Sequence, residues 1–344
     1  MFGALLLANF MAGAEGARDA WQWPFHEKSI WNMPIGSDAV FVPAGIKKAN
    51  HIGADIEILH QVPPGSPERP MYDPFSWKQR AGGTKIGNPA RRKTIPIDDA
   101  FIVPDANPPH TPNSCAALLL PDRRTVIQIN PLCRPVAGGP VWGWLSKTEV
   151  DLYGDGIFGG GHGGSGLSVI GGSIRPGELT GEIPLRHVIK MNLWAERYYA
   201  YPDDGTRGFR WPAVVADSYA KAGYRGTNPQ LEIGALLAIP PDVKVSKARL
   251  RTKPGRILFE AMQNYGVYLV DDTAWDSHDI CIDAAANEEM MKKYRFSMSK
   301  PDEKFAEDVN NLIQLLAIVS NNSAETVGGG GTPRVPLAPP LKQP

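Results

Sequence analysis

Alternation of apolar and polar positions, more than helical spacing, organises the first two hundred residues. The segment DIEILHQ at 55–61 alternates and predicts a half-buried strand. Residues 94–103 and 116–120 predict two more strands with a Pro-rich turn between them. RTVIQIN at 124–130 carries the clearest strand signal. Trp142 and Trp144 fall on one face of a further strand, and residues 186–194 read as another. Before these, Ser29-Ile-Trp-Asn ahead of Pro34 reads as an extended entry into the fold, with Trp31 as a core anchor.

Helical spacing enters late. Residues 213–222 have helical composition closed by Gly223, and residues 256–265 repeat apolar side chains at helical spacing before Gly266. Within 302–319, Phe305, Val309, Leu312, Ile313 and Leu316 make a stripe that reads as core packing. VYLV at 267–270 is a short apolar strand. Together these predict a mainly β single domain, sandwich-like or jelly-roll-like, with about three peripheral helices.

Composition supports that class. The 344 residues include 36 Gly and 32 Pro, which suit short strands and tight turns better than long helices. Lys+Arg and Asp+Glu balance at 36 each, so no global field favours nucleic acid or anionic membranes. An apolar run followed by small residues at 1–17 resembles a secretory leader that lacks its basic start. The expected organisation is therefore a leader over 1–17, one β-rich domain over 18–325 and a Gly/Pro-rich arm over 326–344. No later segment has the roughly 18 to 20 apolar residues of a membrane span. Cys115, Cys133 and Cys281 show no CxxC spacing, which argues against a structural zinc site. Cys115 and Cys133 could pair in an exported protein, or all three could be small buried residues.

The candidate chemistry lies in a few stretches. Residues 63–95 form a long loop carrying Tyr72, Phe75 and Trp77, with a basic trio at 91–93. The glycine-dense segment 151–187 contains two of the seven histidines. Within it Asp151 and Asp155 could take calcium, although Asp-Gly is an ordinary turn pair. His162, flanked by glycines, has no neighbouring side chains of its own to bury it, so a surface or cleft position is expected. His187 stands beside Arg186 at a strand start, where a core-facing ring bonded to a carbonyl is the plainer role. Further on, Arg210 precedes Asp217, which reads as a cap or hydrogen-bond anchor more than a catalytic group. Walker, HExxH and dinucleotide fingerprints are missing, and the serine-centred register of a hydrolase elbow fails at 164–168.

The sharpest signal is VDDTAWDSHD at 270–279, where a buried strand empties into four carboxylates, a Trp and a His. Glycoside hydrolysis needs two carboxyl groups in different protonation states, and crowding helps to separate them. The candidates are Asp271, Asp272 and Asp276 as acid, base or nucleophile, with His162 and His187 assisting. Trp77, Trp142, Trp275 and Tyr219 would position sugar rings. In a lyase acting on a uronate polymer, Arg186 or Arg210 would neutralise the substrate carboxylate. In a non-catalytic glycan-binding protein the acidic loop would hold calcium. The glycosidase reading requires no cofactor and names no metal ligand; a third reading, a metal-dependent hydrolase, would use His162, His187 and a carboxylate.

Several segments resemble a group of secreted, β-rich bacterial proteins of unestablished function. They are Trp31-Asn32-Met33-Pro34-Ile35-Gly36, Gly164-Ser165-Gly166-Leu167-Ser168, Arg175-Pro176-Gly177-Glu178-Leu179, Arg186-His187 and Tyr265 through Asp271. They run in the same order from 29 to about 340, with the Gly/Pro-rich arm last. The resemblance implies secretion and a single domain, often beside carbohydrate-binding modules, and carries over no catalytic residue. The resulting expectation is an extracellular polysaccharide-cleaving enzyme.

Overall fold

The computed structural model describes residues 17–342 apart from 87–92, 106–112, 147–148, 204 and 206. The leader-like run, all but Ala17, and two residues of the basic trio, Arg91 and Arg92, thus lie outside the described residues. Strand outweighs helix, 24% against 16%, so the mainly β reading with a few helices holds.

Thirteen strands are described. They are β1 (Phe41–Pro43), β2 (His51–Gln61), β3 (Glu68–Tyr72), β4 (Thr94–Pro96), β5 (Ala116–Leu119), β6 (Thr125–Cys133) and β7 (Val141–Leu145). Then follow β8 (Val150–Asp151), β9 (Ile189–Leu193), β10 (Leu236–Ala238), β11 (Val267–Asp272), β12 (Ser277–Asp283) and β13 (Ala317–Val319). They form one continuous path, β1-β13-β10-β11-β9-β12-β2-β5-β6-β7-β3-β4, with β8 paired to β6. The path is mixed: β9 with β11, β2 with β12, β2 with β5 and β3 with β7 run parallel.

Two single-turn helices, α1 (Ala195–Tyr198) and α2 (Ala220–Gly223), flank the middle of the chain. Three longer ones follow: α3 (Lys253–Asn264), α4 (Ala284–Tyr294) and α5 (Glu303–Gln314). Each begins on a side-chain cap, Thr252, Asp283 and Asp302 respectively, which satisfies an otherwise orphaned backbone N–H. Gly266 closes α3 at φ +85°, where a Cβ would sit 2.5 Å from the Leu237 carbonyl oxygen, so only glycine fits.

Strand alternation divides the central strands into two unlike faces. Ile52, Ile189, Met191, Leu193, Ile280 and Ile282 point to the helix side and pack with Leu258, Met290 and Phe305. The opposite face of the same strands carries Asp55, Glu57, Lys190, Asn192 and Cys281, all buried. Trp31 and the glycine-dense segment roof that polar patch. Cβ atoms on Gly171 and Gly172 would come within 2.5 Å and 2.7 Å of the Trp31 indole, so the roof lies flat only because those side chains are missing.

Some local expectations change. Residues 213–219 are not helical, and only Ala220–Gly223 makes a turn of helix. The Val214 N–H is instead drawn to the Ser165 carbonyl at 2.9 Å, which lays this segment along the glycine-rich roof. The helix expected over 302–319 stops at Gln314, because Ala317–Val319 inserts as a strand between β1 and β10. The acidic stretch 271–279 is a tight reversal rather than one open loop, and the chain returns at once as β12. Cys115, Cys133 and Cys281 are free and buried, so the Cys115–Cys133 pairing is not formed.

Candidate functional site

A cleft of about 750 Å³ opens where the C-terminal end of β11 meets the roof and the β6–β7 edge. Asp271 and Asp272 from β11, Asp217 and Tyr219 from the 213–219 segment, and Gly163 from the roof all line it. Trp77 and Trp144 line it too, as a stacked pair with ring centroids 5.9 Å apart and planes 10° from parallel. The two halves of the sequence signal therefore converge. A Cβ on Gly164 would stand 2.6 Å from Asp271 Oδ1, so the glycines are the space in which that carboxylate sits.

Asp271 reaches the cleft through a backbone irregularity. Regular alternation would put it on the helix side with Leu269, but the β9–β11 register shifts between Leu269 and Asp271. Such a bulge re-aims a side chain, here toward the roof. One carboxylate oxygen of Asp271 accepts from the Asp272 N–H at 2.9 Å, and the other stands 3.9 Å from His162 Nδ1. Asp272 is more fully engaged. It accepts from the Ala195 N–H (2.8 Å), the Ala274 N–H (2.8 Å) and the Tyr219 hydroxyl (2.8 Å), and so fixes the start of α1 and the reversal. Asp217 accepts from the Tyr224 hydroxyl at 2.8 Å. Burial and then the negative charge of Asp271 push the Asp217 carboxyl up to about 7, so it stays protonated in mildly acid solution.

Beneath the cleft lies the polar patch. His162 is only 2% exposed, contrary to its expected surface position. Its glycine flanks offer no cover, but β2, β5 and β12 supply it. Nε2 lies 2.6 Å from Glu57 Oε1, and the Lys190 ammonium donates to the same glutamate oxygen. Lys190 also donates to the carbonyls of Ser168 (2.8 Å) and Val169 (2.5 Å), tying the sheet to its roof. Nδ1 faces Asp55 Oδ2, Asp271 Oδ2 and Cys115 Sγ, each at 3.9 Å. Burial works to lower the proton affinity of His162, but its acidic neighbours outweigh that and hold its pKa well above the usual imidazole value. Burial pushes Asp55 up to about 6, partly offset by His162. Glu57 moves the other way, because Lys190 and His162 overcome its desolvation. Burial also pushes the Cys115 thiol up to about 11, which leaves it a poor nucleophile.

The remaining sequence candidates sit elsewhere. Asp276 accepts from the Asn50 side chain at 2.7 Å and lies 3.6 Å from Arg197. Trp275 is exposed, with its ring 4.8 Å from that of His51 and outside the cleft lining. Trp142 donates to the Gly83 carbonyl at 2.8 Å, leaving its strand-mate Trp144 to face the cleft. Arg210 donates to the Ser320 carbonyl at 3.0 Å. His187 pairs with Glu178 at 3.1 Å and with the Val188 carbonyl at 2.8 Å. Arg186 lines a separate groove of about 980 Å³ between the 181–186 loop and the C-terminal arm, whose acids among the described residues are Glu178, Glu182 and Glu260. At the proposed calcium turn, both Asp151 oxygens accept from Arg124, and Asp155 accepts from the Ile157 N–H. Sequence reading did not select Asp55, Glu57, Lys190 or Trp144 and undervalued Asp217. For Asp55 and Glu57 the only signal was two acids in an otherwise well-formed strand.

Comparison of the chain with family models, curated proteins and solved structures gives no match. Among the described residues no helix is long and apolar enough to cross a membrane.

Proposed function

We propose that this protein is an extracellular glycoside hydrolase acting on a polysaccharide in the Asp217–Asp271 cleft. The observation that carries the reading is the pairing of unlike carboxyl groups beside an aromatic platform. Asp217 is raised to about 7 and is suited to give its proton to the glycosidic oxygen as the C–O bond breaks. Asp271, whose Oδ2 has no closer donor among the described residues than His162 at 3.9 Å, serves as base toward water or as nucleophile at the anomeric carbon. Asp272 and Tyr219 position these groups, while Trp77 and Trp144 offer flat faces to sugar rings. Among the described residues the cleft lining includes no Arg or Lys, so a uronate carboxylate would meet three acids and no cation there. That favours a neutral glycan and hydrolysis over elimination.

Incubation of the purified protein with a polysaccharide panel tests this. Expected is release of new reducing ends without the ultraviolet-absorbing unsaturated products of a lyase. Asp217→Asn and Asp271→Asn should each slow release by about 10²–10⁴-fold. Glycan binding without product from any member of the panel would leave a binding protein and end the enzyme reading.

A further inference from the structure

Three potential metal ligands converge in the polar patch from distant parts of the chain. Asp55 on β2 and Cys281 on β12 are direct register partners in a parallel pair, so their side chains leave the sheet side by side. His162 descends on them from the roof. One ligand atom from each, an Asp55 oxygen, a His162 ring nitrogen and the Cys281 sulfur, lie within 4.8 Å of one another.

The surroundings are those of a metal-bound histidine. Ligating imidazoles commonly give their other N–H to a carboxylate, which orients the ring and fixes the tautomer. Here Nε2 lies 2.6 Å from Glu57, and Glu57 is itself held by Lys190. Nδ1 is thereby turned toward Asp55, Asp271 and Cys115, and both carboxylates stand at 3.9 Å, too far for an N–H···O bond. Asp55 has its own orienting contact, from the Asn192 side chain at 3.0 Å, and Cys281 stands 3.9 Å from the oxygen of the same amide. Two of the three donors, His162 and Asp55, thus have an orienting partner, and all three ligand atoms lie within 4.8 Å of one another.

We propose that Asp55, His162 and Cys281 bind a divalent zinc-class ion beneath the cleft floor, with the fourth position directed toward Asp271. A thiolate, an imidazole and a carboxylate form a tetrahedral donor set that suits Zn²⁺ and excludes Ca²⁺ and Mg²⁺, which take oxygen ligands. The ion would enter past Asp271, the member of the cluster that reaches the cleft. This inference stands apart from the glycan reading, since the ion can be structural whether or not the cleft cleaves sugars.

Cobalt(II) substitution reads it directly. The full-length protein, stripped with chelator and dialysed against Co²⁺, should take up one ion per chain and show a thiolate-to-cobalt band in the near ultraviolet with tetrahedral bands in the visible. Cys281→Ser should lose the near-ultraviolet band, and His162→Ala should bind at least about 100-fold more weakly. Cys281→Ala serves if the serine variant does not fold, and His187→Gln should bind like the unaltered protein. Absence of stoichiometric Co²⁺ and Zn²⁺ binding by the folded wild type overturns the proposal. So does an unchanged band in Cys281→Ser.

Discussion

The two histidines of the glycine-dense segment make a natural pair for comparison. Both are buried, and each ring meets a buried glutamate, Glu57 for His162 and Glu178 for His187. They differ at the second nitrogen. His187 Nδ1 donates to the Val188 carbonyl at 2.8 Å, so both of its ring nitrogens are committed to neighbours that leave no room for a ligand. Among the described residues His162 Nδ1 has no such carbonyl. It faces two carboxylates and a thiol at 3.9 Å, one of those carboxylates opening on the cleft. A closed histidine holds the fold together, whereas an open one leaves a place for something else. Burial and a glutamate partner do not distinguish them; the second nitrogen does.

The largest expected effect separates the two glutamates. Glu57 serves two cations in a fully buried setting, and removing one partner of a buried ion pair costs about 3–5 kcal/mol. Glu57→Gln should therefore lower unfolding free energy by that amount in a urea titration. Glu178→Gln should cost less, about 1–3 kcal/mol, since His187 can shed its charge and the nearby Arg175 keeps Asp283 as an ion-pair partner. Equal losses would mean that the two glutamates carry the same load and that the Lys190 pair does not set Glu57 apart.

Next comes coupling to the cleft. In a double-mutant cycle on stability, His162→Gln and Asp271→Asn should couple by about 0.5–3 kcal/mol, as groups in one network do. His187→Gln with Asp271→Asn should add to within about 0.5 kcal/mol. Coupling of similar size in both cycles would erase the distinction between an open and a closed ring.

A smaller effect appears in pH dependence. Burial lowers the proton affinity of His187, but Glu178 raises it more, so the folded pKa lies above the ordinary 6.5. The folded state then binds the proton more tightly than the unfolded chain does. Its stabilisation is complete below 6.5 and is lost as pH rises through the higher folded value, at a slope of at most about 1.4 kcal/mol per pH unit. Unfolding free energies measured from pH 6 upward should fall more steeply for the wild type than for Glu178→Gln. Parallel curves would show that the pair carries no charge linkage.

Much of the scaffold was legible because its signals are local. The strand 124–130, the strand 267–270 and the Gly266-capped helix each follow from a few adjacent residues. The acids at 271–272 were legible as a strand mouth for the same reason. The floor was not. Asp55 and Glu57 alternate with apolar residues in DIEILHQ, and alternation assigns them to one face without saying what covers that face. The cover comes from a segment about a hundred residues later, and the zinc-class donors sit at 55, 162 and 281. The helix expected at 213–222 failed for a related reason: Val214 answers to Ser165, not to its own turn. Where the outcome depends on which distant segment lies opposite, one-dimensional patterns run out.

The smallest effect concerns the cleft rim, where the structure keeps Trp77 of the sequence candidates, adds Trp144 and leaves Trp142 and Trp275 outside. Trp275 sits in the acidic stretch and was an obvious sugar platform, but it stacks near His51 outside the cleft. Trp77 and Trp144 come from unrelated segments and form one flat, half-exposed surface facing Asp217 and Asp271. Losing half of a stacked aromatic pair costs about 0.5–1.5 kcal/mol. If a sugar face gains a contact of similar size on Trp77, Trp77→Ala should weaken oligosaccharide binding about twofold to thirteenfold by equilibrium titration. Trp275→Ala should leave binding unchanged. If Trp275→Ala weakens binding and Trp77→Ala does not, the glycan follows the acidic reversal instead of the cleft. The open ring of His162 would then lie beneath an unused surface, and its contrast with His187 would be one of packing alone.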